Sequence, residues 1–128
     1  MPLMRSSRGV IGSPATVRAT IVYITGRREP HVDWKTGDLA RQIQGGDELH
    51  LVVVDTFGRT PAALGIPSGL FRDVVVTCPK PNIWQGRHRI TAVDWWANSN
   101  ARNTGIVFCK TDYVAFLDDR CHLGAHWL

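Results

Sequence analysis

Two adjacent acids, Asp118 and Asp119, close a run of five apolar residues, Tyr113 to Leu117. Burying such a pair is costly without a cation or hydrogen-bond donors to receive it. A hard divalent ion is one natural partner, because Mg²⁺ commonly takes only one or two protein carboxylates and completes its shell with water and phosphate oxygens. The other reading has both acids capping a turn and facing water. Arg120 follows at once and suits either a phosphate or one of its neighbouring acids. Two more polar clusters stand in the same relation to apolar runs. Thr25-Gly26-Arg27-Arg28 follows Ala19 to Ile24, and Asp55-Thr56 follows Leu49 to Val54.

Other chemistry-bearing residues carry less. His122 and His126 have the i, i+4 spacing that shares a metal on a helix, but Gly124 between them weakens a helix there, so packing or solvent exposure is the favoured reading. His126 is a slightly better candidate as an extra ligand of the metal at the acids. Trp84 and Gln85, in a loop broken by Pro79 and Pro81, are candidate ligand contacts, whereas Trp96, at helical spacing with Val93, reads as core. Arg87-His88-Arg89 reads as a solvated loop. Cys78, Cys109 and Cys121 are odd in number without C-x-x-C spacing, which points to reduced, mostly buried thiols.

The elements that must position these residues follow from hydrophobic runs and punctuation. Ala19 to Thr25, Leu49 to Asp55, Asp73 to Thr77 and Tyr113 to Leu117 are expected strands, with Leu49 to Asp55 central. Helical spacing is expected over Asp33 to Gln44, stopped by Gly45-Gly46, and over Ile90 to Cys109. Thr56 to Leu70 reads as irregular with a short helix near Pro61 to Leu64, and Gly124 to Leu128 as the start of a further helix. Strands alternating with helices predict an α/β domain with a mostly parallel sheet of about four strands flanked by helices. In such sheets ligands bind beyond the carboxyl ends of the strands. All three polar clusters lie at such ends.

Composition narrows the class. At 128 residues the chain fits one domain. Its 44% hydrophobic and 20% charged residues are those of a globular protein, which excludes a disordered or fibrous one. A net charge of +4 favours anionic partners, phosphate-bearing small molecules as much as nucleic acid. The positive residues are scattered and form no recognition motif, which disfavours nucleic acid. No run approaches the roughly 20 apolar residues of a membrane span, and the first residues lack a secretory h-region. A cytoplasmic location is expected, with residues 1–18 a loose tail and 19–128 the domain. No G-x-G-x-x-G follows the first strand, so a dinucleotide site is disfavoured.

Three stretches together resemble the family 2 glycosyltransferases over roughly residues 19–128. Asn98 to Asp119 (NSNARNTGIVFCKTDYVAFLDD) is similar to that family's Asn-Ala-Arg-Asn-x-Gly helix, followed by a strand closing in a DxD-type metal motif. Ile21 to Pro30 is similar to its first strand and Thr-containing nucleotide loop, and Val52 to Asp55 to its second strand and base-contacting aspartate. The resemblance implies the Rossmann-like nucleotide-binding half of the GT-A fold and a UDP- or GDP-sugar donor. It implies that Thr25 and Arg27 line the nucleoside pocket and that Asp55 accepts a hydrogen bond from the base. Asp118 would lie by the ribose or diphosphate, and Asp119 would bind Mn²⁺ or Mg²⁺, with Arg102 or Asn103 positioning the donor. The sugar would pass to a hydroxyl acceptor of unknown identity.

The chain departs from the pattern twice. Asp55-Thr56-Phe57-Gly58 stands where many members show Asp-Asp-Gly-Ser, and Asp118-Asp119-Arg120 replaces Asp-x-Asp. The catalytic base of inverting members comes from a later, acceptor-binding half that is expected to lie outside this chain, so no residue here takes that role. A non-catalytic α/β nucleotide-binding module is the alternative. A sheet edge left uncovered in the absence of that half would favour self-association.

Overall fold

The computed structural model describes residues 15–83, 87, 88, 90 and 97–128. Six elements follow one another: β1 (Arg18–Thr25), α1 (Val32–Ala40), β2 (Glu48–Asp55), β3 (Asp73–Thr77), α2 (Asn98–Val107) and β4 (Tyr113–Leu117). The strands form one sheet in the order β3-β2-β1-β4, and every neighbouring pair is parallel. This is the Rossmann-like α/β layering the sequence predicts. Among the described residues no helix is long and apolar enough to cross a membrane.

β1 and β2 each carry a continuous apolar stretch, Ile21 to Ile24 and Leu51 to Val54, because both faces of the sheet are covered there. Period-2 alternation sorts their side chains between two cores. Ile21, Tyr23, Leu49, Leu51 and Val53 pack with Val32 and Leu39 of α1, together with Leu64, Phe71, Leu117 and Leu123. Val22, Ile24, Val52 and Val54 face the opposite way and pack with Ala101 of α2. A Cβ at Gly105 would overlap Val22 Cγ1 and come within 3.3 Å of Val54 Cγ2, so only glycine lets α2 lie this close to the sheet.

The elements depart from expectation mainly in their ends. α1 stops at Ala40, four residues before Gln44, because the Leu39 carbonyl accepts from the amides of both Gln42 and Ile43 and closes the last turn. The helix expected over Ile90 to Cys109 is not continuous: Ile90 sits in a bend, Ala97 is extended, and α2 begins at Asn98, with 91–96 outside the described residues. Its buried face is made of the small residues Ala101, Thr104 and Gly105, whereas Ile106 is exposed. Pro61 to Leu64 form a turn rather than a short helix. Gly124 to Leu128 begin no helix, and His126 has φ 64°. β1 starts at Arg18, and Val17 already donates its amide to Asp47 Oδ1 at 2.8 Å, so the ordered domain begins before residue 19.

Candidate functional site

The chain reverses direction across the sheet at β1. β2 and β3 extend to one side of it, and β4 returns to the other. At such a switch point the loops leaving the two strands diverge and open a crevice beyond the carboxyl ends. A cleft of about 420 Å³ lies there, lined by Ile24, Gly26 and Arg27 from β1 and its loop, Asn98 from the start of α2, and Asp118, Asp119 and Arg120 after β4. The clusters after the first and last strands therefore converge. The cluster at Asp55 does not line this cleft.

Register fixes the first contact. Tyr23 pairs with Leu117 across the β1–β4 ladder, so Thr25 and Asp119, two residues further on, come side by side on the face that also carries Tyr23. The Asp119 carboxylate is buried and accepts from Tyr23 Oη on one oxygen and from Thr25 Oγ1, at 2.9 Å, on the other. Arg27 Nε lies 3.4 Å from the second oxygen. Lys35 Nζ, from α1, donates to the Asp119 carbonyl. Burial and the neighbouring Asp119 charge push the Tyr23 phenol far above its ordinary range, so Tyr23 is a lasting donor. Burial draws the Lys35 amine down, against the pull of the nearby acids.

Asp118 is placed differently. It is exposed and faces Arg102 of α2, whose Nη2 is 3.3 Å from both of its oxygens, while the Arg102 guanidinium lies over the Phe116 ring. Arg120 lines the cleft and makes no hydrogen bond or ion pair among the described residues. Asn103 is exposed on α2 and likewise makes no hydrogen bond among them.

Asp55 is wholly buried, and its carboxylate is filled. Arg59 holds it through Nε and Nη2 at 2.8 Å each, and the amides of Phe57 and Arg59 complete the shell. Burial alone would raise this acid, but the hydrogen bonds and charge of Arg59 outweigh it and hold the carboxyl below the usual carboxylate range. The same guanidinium donates to the carbonyls of Arg27 and Arg28, which ties the loop after β2 to the loop after β1. An acceptor for a base is thus already occupied by a side chain of this protein.

A third acid, Asp38 of α1, holds the last stretch of chain. It accepts the Leu123 amide at 2.8 Å and lies 3.1 Å from His122 Nδ1, contacts that hold its carboxyl below the usual range, the Leu123 amide contributing most. The His122 ring stacks on Trp34, which stacks in turn on His31. His126 lines a separate cleft with Arg41 to Gln44. Without a helix, their i, i+4 spacing does not place His122 and His126 on one face, and the shared metal weighed from sequence has no basis there.

The metal implied for Asp119 can be tested against these contacts. Both oxygens of Asp119 already accept from protein donors, with a guanidinium beside them, and Asp118 faces a second guanidinium. Among the described residues no three His, Cys, Asp or Glu side chains gather as a ligand set. A divalent ion bound through Asp119 does not fit this arrangement.

Of the residues expected at the site, Arg27, Asp118 and Asp119 meet in the cleft, Thr25 supports it from below and Arg102 from its edge. Asp55 and Asn103 lie apart. Trp84 and Gln85 lie outside the described residues. Tyr23, Lys35, Arg59 and Asn98 were not anticipated. Tyr23 was legible as the residue two before Thr25 on one strand face, but Arg59 and Lys35 give no local signal. The three cysteines are free, but none is buried as expected: Cys78 is exposed, and Cys109 and Cys121 are half-buried. Comparison with protein-family models, curated proteins and solved structures gives no match.

Proposed function

We propose that this domain binds a nucleoside-diphosphate sugar, UDP- or GDP-linked, as the donor half of a glycosyltransferase that passes the sugar to a hydroxyl acceptor. The observation that carries the reading is the meeting of two polar clusters, Gly26-Arg27 and Asp118 to Arg120, in one cleft at the sheet's switch point. These are the stretches whose sequence resembles the family. Arg27 and Arg120 face a ligand there with charge-assisted donors suited to phosphate oxygens. Positive charge fixed beside a departing diphosphate would stabilise the leaving group as negative charge develops on it. The Asn98 end of α2 is turned to the same space and adds the favourable end of a helix dipole.

A non-catalytic binding module is the second reading, and one observation favours it. The two carboxylates of the cleft are each paired with protein donors, so neither stands ready to take a proton from an acceptor hydroxyl. Calorimetric titration with UDP, GDP and their sugar conjugates tests the binding step, and a transfer assay with broad hydroxyl acceptors separates the two readings. Binding of one nucleotide names the base; heat from none of them would sink the donor-site reading.

A further inference from the structure

We propose that the cleft holds a diphosphate through its arginines, Arg120 first among them, and without a divalent cation. The inference rests on the reading of the cleft as a diphosphate site and specifies how that site neutralises its ligand.

Three observations carry it. The acid that a cation would need, Asp119, is buried with Tyr23 and Thr25 hydroxyls on its two oxygens and Arg27 beside it. Releasing it would leave two buried hydroxyls and a buried Lys35 contact without their acceptor geometry, a cost that falls on the protein before any metal is bound. Second, the cleft carries positive charge without a cation. The guanidinium groups of Arg27 and Arg120 in the cleft and of Arg102 at its edge outnumber the carboxylates of Asp118 and Asp119, so an anion meets fixed positive charge there from the protein itself. Third, Arg120 lines the cleft and spends none of its five donors on protein groups among the described residues. It occupies the third place of the motif, where an acid would serve a metal and a guanidinium serves a phosphate directly. A fork of parallel N–H donors matches two phosphate oxygens at once.

Inorganic pyrophosphate and UDP are the probes, titrated calorimetrically into the full chain in EDTA and again with Mn²⁺. The expected result is binding in EDTA that Mn²⁺ does not strengthen. Arg120→Ala should weaken it about tenfold to a hundredfold, and Arg120→Lys by less. Because Arg120 is exposed and makes no hydrogen bond or ion pair with a described residue, circular dichroism of both variants should match the parent. Binding of either probe only with Mn²⁺ overturns the inference and leaves the donor reading standing. Binding in EDTA that Arg120→Ala leaves unchanged overturns it as well. Pyrophosphate bound in EDTA with no preference for UDP supports the inference and removes the nucleotide from the proposed function. Failure of both probes in both buffers overturns inference and donor reading together.

Discussion

Asp118 and Asp119 are neighbours in sequence and opposites in environment, one largely in water and the other shut in with two hydroxyls and a guanidinium. An amide at 119 offers one acceptor where two are needed, so Asp119→Asn should cost about 2–3 kcal/mol in urea unfolding. Asp118→Asn, which loses only an exposed pair, should cost less than about 1 kcal/mol. The opposite order would remove the buried network from the account. Tyr23 makes a second test at this scale. Its phenol is raised in the folded chain, so its contribution to stability is complete below the ordinary tyrosine value of about 10 and declines as pH climbs past it, where the unfolded chain releases the proton and the folded one retains it. Tyr23→Phe should lower stability by about 1–2 kcal/mol at neutral pH, with that deficit shrinking above pH ~10 in denaturant titrations at stepped pH. A deficit that stays constant would mean the phenol is not sealed.

At the level of elements, α2 depends on what it lacks. Alanine is the better helix former by about 1 kcal/mol, but at position 105 its methyl group would collide with Val22, and overpacking of this kind costs about 1–3 kcal/mol. Gly105→Ala should therefore destabilise the parent chain, yet be neutral or stabilising in a Val22→Ala background, a double-mutant cycle that thermal unfolding can read. Additive losses would show that α2 is free to shift outward. This glycine also marks how far the sequence could be read. Four strands were legible because apolar, β-branched runs such as LVVV in β2 have few other homes, and β3 and β4 fall where expected. The extent of α2 was not legible, because periodicity counts apolar residues and the face that packs is Ala101, Thr104 and Gly105. The site divides in the same way. Thr25 meeting Asp119 follows from strand register, whereas Arg59 reaching Asp55 and Lys35 reaching the Asp119 carbonyl depend on loop and helix placement that no spacing rule encodes.

For the molecule as a whole, the two sides of the sheet are not equally finished. Among the described residues β4 is an edge strand, and Tyr113, Val114 and Phe116 are exposed along it, as are Ile106, Val107 and Phe108 at the end of α2. An open edge flanked by large apolar groups invites pairing with another chain. Light scattering should show the chain associating as its concentration rises, and Phe116→Lys should return it toward a monomer without loss of helical signal. A monomer at all concentrations would mean that the edge is protected by its own twist or charge.

The parallel ladder between β1 and β4 has a consequence in time. Tyr23 and Asp119 are 96 residues apart in the chain, and β1 meets β2 across a much shorter crossover through α1. Long loops close late, so β1, β2 and β3 can assemble while one flank of β1 still waits for its partner. At roughly 5–20 residues per second, a ribosome leaves that flank bare for on the order of several seconds. The acids that complete the cleft thus arrive after the rest of the sheet has been made, and the nascent chain spends that interval with the buried strand β1 half-covered.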